Sequence, residues 1–375
     1  MIPVNEPLLD GNERRYLLEC VDQQWISSGG PFVQRFERDF GGYLGLPPGV
    51  AVCNGTAAIE TALFGLGLRP GDEVIMPSFT IISCALAALR LGATPVLVDI
   101  EPGTWCLDVD QLEAAASPSS RVVMPVHVYG HPADMDPVME FAKASKLSVL
   151  EDAAEVHGAE YRSKASGGRW LHCGAIGHAA SFSFYANKIV TTGEGGMVVS
   201  ADPDVLARAR SYQNLCFRPE RRFYHTELGY NFRMTNLQAA IGVAQLERID
   251  EFVALKRRFG AMYRERLAGI PGVRMQTEHP WGRTVYWMYA IELDPSLGID
   301  AEELARRLKD SGVETRPFFM GLHAQPALQG KIRLLGAGYQ RTEHAYRYGL
   351  YLPSGMTLTE SLVDEVCDRL RAVLR

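Results

Sequence analysis

Ala179-Ala-Ser-Phe-Ser-Phe-Tyr-Ala-Asn-Lys188, followed by Thr191-Thr-Gly-Glu-Gly-Gly196, is an apolar run that ends on a lysine and passes into a glycine-rich turn. The run reads as a buried strand and the turn as the loop that leaves it. A lysine just past a strand end has a rigid mount, and partial desolvation lowers its pKa enough to make the amine a nucleophile. A structural lysine capping the turn would occupy the same place, and this stretch alone leaves both readings open. The other six lysines have blander surroundings. Lys143, Lys146, Lys256 and Lys309 are expected on polar helix faces, and Lys164 and Lys331 in loops, all as solvated charges.

Outward from this stretch, short apolar runs alternate with amphipathic ones. Strands are expected at Glu73 to Met76, Pro95 to Asp99, Arg121 to Val128, Leu147 to Leu150 and Gly196 to Ser200, and helices at Ala57 to Leu68, Ile82 to Leu91 and Met135 to Ser145. Such alternation predicts an α/β fold, a mostly parallel sheet between helices, with ligands held beyond the strand carboxyl ends. After about Val253 the pattern changes to a charged helix (Leu255 to Leu267), a strand near Tyr286 to Leu293, and helices at Ala301 to Ser311 and Leu362 to Leu374. The expected division is a large domain over 1–250 and a smaller C-terminal α+β domain over 251–375, with the N-terminal 25 or so residues packing partly on the latter.

The 375 residues are 47% hydrophobic and 22% charged, with a formal net charge of −6. That balance excludes a protein built around a basic nucleic-acid or membrane-binding face. Seven scattered cysteines without a C-x-x-C pair suit a reducing compartment. No signal peptide and no membrane-length apolar run is read, so a cytoplasmic protein is expected.

Two further motifs bear on Lys188. Asp152 follows an apolar strand, as Glu151-Asp-Ala-Ala154, and Asn54-Gly-Thr-Ala57 opens a helix whose first N–H groups are unpaired. A carboxylate at a strand end, an anion cradle and an activated lysine are the three groups that pyridoxal phosphate requires: a partner for its pyridinium nitrogen, a phosphate site and a Schiff-base amine.

These residues, with Trp25-Ile-Ser-Ser-Gly-Gly-Pro31, Pro77-Ser-Phe-Thr80, Ser181-Phe-Ser-Phe184 and Gly229-Tyr-Asn-Phe-Arg-Met234, resemble the DegT/DnrJ/EryC1/StrS sugar aminotransferases almost end to end. The resemblance implies a fold type I enzyme in which Lys188 is both Schiff-base lysine and proton shuttle. Asp152 would pair with the pyridinium nitrogen, Thr56, Ala57 and Ser183 would hold the phosphate, and Phe79 would stack on the ring. Glu155 stands where relatives often carry glutamine or histidine near the phenolic oxygen, and a carboxylate there meets a like charge unless protonated or turned away. Asn231 would reach the phosphate of a neighbouring subunit's cofactor, making a homodimer with a composite site.

The same resemblance implies glutamate as amino donor, pyridoxamine phosphate as the alternate cofactor form, and a nucleotide-linked keto-sugar as acceptor. Lys188 itself separates the chain from family dehydratases, which carry histidine there. Pro7-Leu-Leu-Asp-Gly-Asn-Glu13, Ser183-Phe-Tyr-Ala-Asn-Lys188 and Thr315-Arg-Pro-Phe-Phe319 are similar to the branch that aminates GDP-4-keto-6-deoxy-mannose for lipopolysaccharide O-antigen. dTDP- or UDP-linked sugars, 3-amination, and a catalytically silent regulator are the alternatives. Arg316, His323, Ser27, Ser28 and Gly29 are the expected sugar-nucleotide contacts. His127, His131 and His172-Cys173 lack metal spacing, and Gly29-Gly30 lacks a dinucleotide context, so no metal is expected.

Overall fold

The computed structural model describes residues 1–374 apart from Pro219 and Ala337. Its centre is an eight-stranded sheet in the order Val50–Val52, Gly196–Val199, Ala179–Ser183, Ser148–Asp152, Ser120–Val123, Glu73–Pro77, Thr94–Val98 and Arg333–Leu334. Gly196–Val199 runs antiparallel to both neighbours, and every other pairing is parallel. The strands are short Val-, Ile- and Leu-rich runs buried on both faces, as a helix-covered sheet requires. Asn54, Asp152 and Ser183 therefore lie at or just beyond the carboxyl ends of neighbouring forward strands.

Helix Gly55–Gly65 starts where Asn54 Oδ1 accepts the Ala57 N–H at 2.8 Å. Apart from Gly55, Thr56 and Phe64 the helix is buried, its mostly apolar sequence interrupted by Glu60, which accepts from the Tyr212 hydroxyl at 2.7 Å. Helix Asn236–Leu246 opens with a Thr235/Gln238 capping box and supports helices Glu13–Asp22 and Pro31–Tyr43. A four-stranded antiparallel sheet over residues 273–352 carries helices Ala301–Asp310 and Glu360–Val373 and has its own apolar cluster.

Element positions follow the sequence pattern with local departures. The strand expected over 121–128 stops at Val123, because Pro125 has no N–H to donate; pairing resumes only as a Val126–Asp152 bridge. The charged helix begins at Ile249 rather than Leu255. Its Ile249 and Phe252 join the large cluster while Phe259, Tyr263 and Leu267 join the small one, so we place the domain boundary inside this helix. At the N-terminus Ile2 packs in the small cluster, whereas Tyr16 and Cys20 face the large one. Lys256 corrects the reading of a solvated charge: it is 1% exposed, and burial pushes its ammonium down to about 7.

At Gly196, where the reversed strand passes the turn that opens helix Gly55–Gly65, a Cβ would lie 2.4 Å from the Asn54 carbonyl oxygen. Gly196→Ala should therefore destabilise the chain by about 1–3 kcal/mol, read as a lower urea midpoint at unchanged slope.

Candidate active site

The strand ends and the small sheet together enclose a cleft of about 600 Å³. Asn54, Gly55, Thr56, Ala57, Asp152, Glu155, Ser181, Ser183 and Lys188 form its floor, and Trp287, Phe319 and Tyr351 close it from the C-terminal part of the chain. Its size suits a small organic ligand.

Lys188 projects into this cleft from the loop after Ala179–Ser183, its N–H bonded to the Tyr185 carbonyl at 2.9 Å. Its side chain is 9% exposed; Nζ lies 3.6 Å from Glu155 Oε1 and 3.6 Å from the centroid of the Trp287 ring. Burial lowers the pKa of this amine, with Glu155 and Asp152 opposing the shift. Glu155 responds in the other sense: burial raises it to about 7, against the pull of Lys188 and of the Tyr129 N–H, which donates to Oε2 at 2.7 Å. Burial thus favours the neutral carboxyl, and the neighbouring Lys188 ammonium favours the ionised one.

Asp152 is 3% exposed and accepts from Cys84 Sγ and the Ala154 N–H, both at 3.1 Å. Behind it Glu151 is fully buried. Burial pushes its pKa up, but the His127 hydrogen bond and the N–H groups of Gly177 and Gly174 outweigh this and hold it low. His127 is thereby a structural anchor, and among the described residues no cluster could hold a metal ion. His157 lies between Phe182 and Phe184, stacked at 5.6 and 5.3 Å, and burial keeps it neutral with a pKa of about 3.

At the helix start, Thr56 Oγ1 and Ser83 Oγ are 2.8 Å apart, and a Cβ on Gly55 would fall 2.7 Å from that of Ser183. Only a glycine at 55 lets the helix start and the Ser183 strand approach this closely. The Ala57 amide is bonded to Asn54 Oδ1 at 2.8 Å, and Gly55, Thr56 and Ala57 all line the cleft at the helix start. Ser181 Oγ, on the cleft floor, is buried without a partner.

Phe79 is also corrected. It is fully buried among Tyr129, Phe318 and Phe319, and the cleft wall on its loop is made by Thr80 and Ile81. Arg316 lies outside the cleft, its guanidinium held by Glu314 at 3.1 Å, because its short strand pairs at the edge of the small sheet. His323 is tied to Ser78 Oγ at 2.7 Å and stacked on Tyr339 at 4.4 Å, behind the wall. Ser27, Ser28 and Gly29 form the turn before helix Pro31–Tyr43, where the Ser27 carbonyl accepts from the Asn236 N–H; they do not line this chain's cleft. Asn231 is exposed, bridging Asn214. Sequence reasoning missed Trp287, Phe319, Tyr351 and Arg90 as cleft residues. Pairing across distant strands gives no local signal.

The family model described as DegT/DnrJ/EryC1/StrS aminotransferase matches residues 7–371. The chain belongs to that family. By that kinship it is a pyridoxal-phosphate-dependent sugar aminotransferase. A relative named GDP-perosamine synthase from Caulobacter vibrioides is 44% identical over 375 residues, covering all of this chain and 98% of its own. Another of the same name from Escherichia coli O157:H7 is 37% identical over 370 residues, covering 98% and 97%. Among solved structures, DesI with its TDP-sugar product superposes at TM-score 0.89 and 33% identity, covering 100% and 92%. The aminotransferase TlmJ of Streptoalloteichus hindustanus does so at 0.90 and 29%, covering 100% and 99%.

In this aminotransferase, Glu155 is the main attraction holding the ammonium form of Lys188. Glu155→Gln should move the Lys188 titration in the cofactor-free chain to lower pH, read by pH-dependent amine labelling and mass spectrometry; an unmoved or higher midpoint would contradict the pairing.

Proposed function

We propose that this aminotransferase transfers an amino group from glutamate to GDP-4-keto-6-deoxy-mannose, giving GDP-perosamine, with pyridoxal phosphate held in the cleft around Lys188. The observation that carries the sugar assignment is the 44% identity, across the whole chain, to a protein named GDP-perosamine synthase. The cleft fits the cofactor. A buried hydroxyl on Ser181 lacks a partner, a glycine at 55 keeps the Ser183 side chain clear of the helix start, and an acidic group and an amine stand beyond the carboxyl ends of neighbouring parallel strands.

Bound there, the cofactor supplies an electron sink for negative charge on the carbon beside the transferred nitrogen. The chain's own groups do the rest. Asp152, fixed by Cys84 and the Ala154 amide, would keep the ring nitrogen protonated. The first amides of helix Gly55–Gly65, with the Thr56 and Ser183 hydroxyls, would hold the phosphate. The Lys188 amine would take a proton from one carbon and return it to another, its lowered pKa keeping a neutral fraction available. Ile81 and Trp287 would flank the ring, Trp287, Phe319 and Tyr351 would shape the sugar side, and bulk water would be kept from the amine by its burial. We place Asn231 at a partner subunit's site in a homodimer, since its exposure outside its own cleft leaves it free to act in trans.

Lys188→Ala should retain cofactor but lose at least about a thousandfold in turnover, measured with glutamate as donor; normal turnover would refute the assignment. Incubating the enzyme with glutamate and a panel of GDP-, dTDP- and UDP-linked keto-sugars and weighing the products should show amination of the GDP-mannose derivative first. If only a dTDP- or UDP-sugar gains the amine, the choice of sugar is wrong while the transaminase reading stands. Mixing an Asn231→Ala chain with a Lys188→Ala chain should restore part of the activity; no recovery after demonstrated subunit exchange would exclude a composite site.

A further inference from the structure

Lys256 is a fully buried lysine, and burial alone, with no charged partner among the described residues, lowers its pKa. Its Nζ donates to the Trp287 carbonyl at 2.8 Å and to the Ser354 carbonyl, and the Tyr289 ring centroid lies 4.8 Å away. Two carbonyl oxygens thus accept from Nζ while an aromatic face lies beside it, an environment suited to an ammonium. The surroundings are equally specific. Tyr289 donates its hydroxyl back to the Lys256 carbonyl at 2.6 Å, and Ser354 Oγ accepts the Tyr289 N–H at 2.9 Å. Burying a charge without a counter-ion is costly, and an apolar side chain of similar volume would pack there at less expense.

The position of Trp287 explains what the arrangement achieves. Its carbonyl is held by Lys256, its indole N–H donates to the Asn187 carbonyl at 2.8 Å, and its ring face lies 3.6 Å from Lys188 Nζ. Asn187 is the residue directly before Lys188. Trp287 is therefore held twice, by its backbone carbonyl from the helix that joins the two apolar clusters and by its indole N–H from the loop carrying the reactive amine.

We propose that Lys256 is a positioning residue for the reactive amine, fixing the Trp287 backbone so that the indole covers Lys188. The inference rests on Lys188 being the reactive amine and not on the identity of the sugar. Trace acetylation of the full-length, cofactor-free chain with acetic anhydride, read peptide by peptide by mass spectrometry, tests it without substrate, so failure of the sugar assignment cannot be mistaken for failure here. Exposed Lys143 and Lys309 serve as internal references.

In Lys256→Met and in Trp287→Ala, Lys188 should label roughly three- to tenfold faster than in the parent, the size of a lost cation–π contact and its covering ring, with the references unchanged. The double variant should be no faster than Trp287→Ala alone, because both changes act through one ring. In the loaded enzyme, Lys256→Met should lower kcat with little change in KM. A merely structural lysine would lower the melting temperature and leave Lys188 labelling and the kcat-to-KM split alone, which would overturn the proposal. Rates that multiply in the double variant would overturn it too. Should Lys256→Met not fold, Lys256→Gln replaces it, and a Trp287→Ala chain with parental Lys188 labelling refutes the idea by itself.

Discussion

Everything in the cleft depends on holding an amine out of water without neutralising it permanently. Lys188 is buried, and desolvation lowers its pKa; Glu155 at 3.6 Å and the Trp287 face at 3.6 Å return part of what burial removes. A fully exposed lysine would remain protonated at neutral pH and inert as a nucleophile. One buried without such neighbours would lose its charge and its use as a proton carrier. Glu155, raised to about 7 by its own burial, is pulled back towards the carboxylate by Lys188, so desolvation favours the neutral form of each partner and the other's charge opposes it.

The sheet makes that environment possible. Parallel strands deliver Asn54, Asp152 and the Lys188 loop to one edge, while the antiparallel Gly196–Val199, entered from the lysine loop, lies between Val50–Val52 and Ala179–Ser183. Glu151 shows how much of the fold serves the edge. Its four hydrogen bonds, to His127 and the amides of Gly174, Ile176 and Gly177, pin the loop that leads into Ala179–Ser183. A buried carboxylate of this kind is stabilising only because every acceptor site is used.

The small sheet contributes the roof rather than the reactive groups. Trp287, Phe319 and Tyr351 arrive from strands and loops 99 or more residues beyond Lys188, and the interior of that unit carries its own cationic anchor in Lys256. The aromatic cluster of Phe79, Tyr129, Phe318 and Trp105 joins roof to floor, which is why Phe79 lies in the core and Ile81 reaches the cleft.

The order of anion cradle, aspartate and lysine was readable from the chain itself, because each is local: a helix start after a strand, a carboxylate at a strand end, a lysine before a glycine turn. Strand and helix alternation likewise determined the class of fold. What the linear pattern left undecided was which side chains from distant segments meet. Helical periodicity placed Lys256 on a polar face, but packing of that helix between two apolar clusters buried it. Arg316 and His323 had suitable chemistry, and edge pairing and a Ser78 bond turned them away. Local chemistry is written in consecutive residues; the walls of a cleft are decided by contacts between residues hundreds of positions apart, which only tertiary packing specifies.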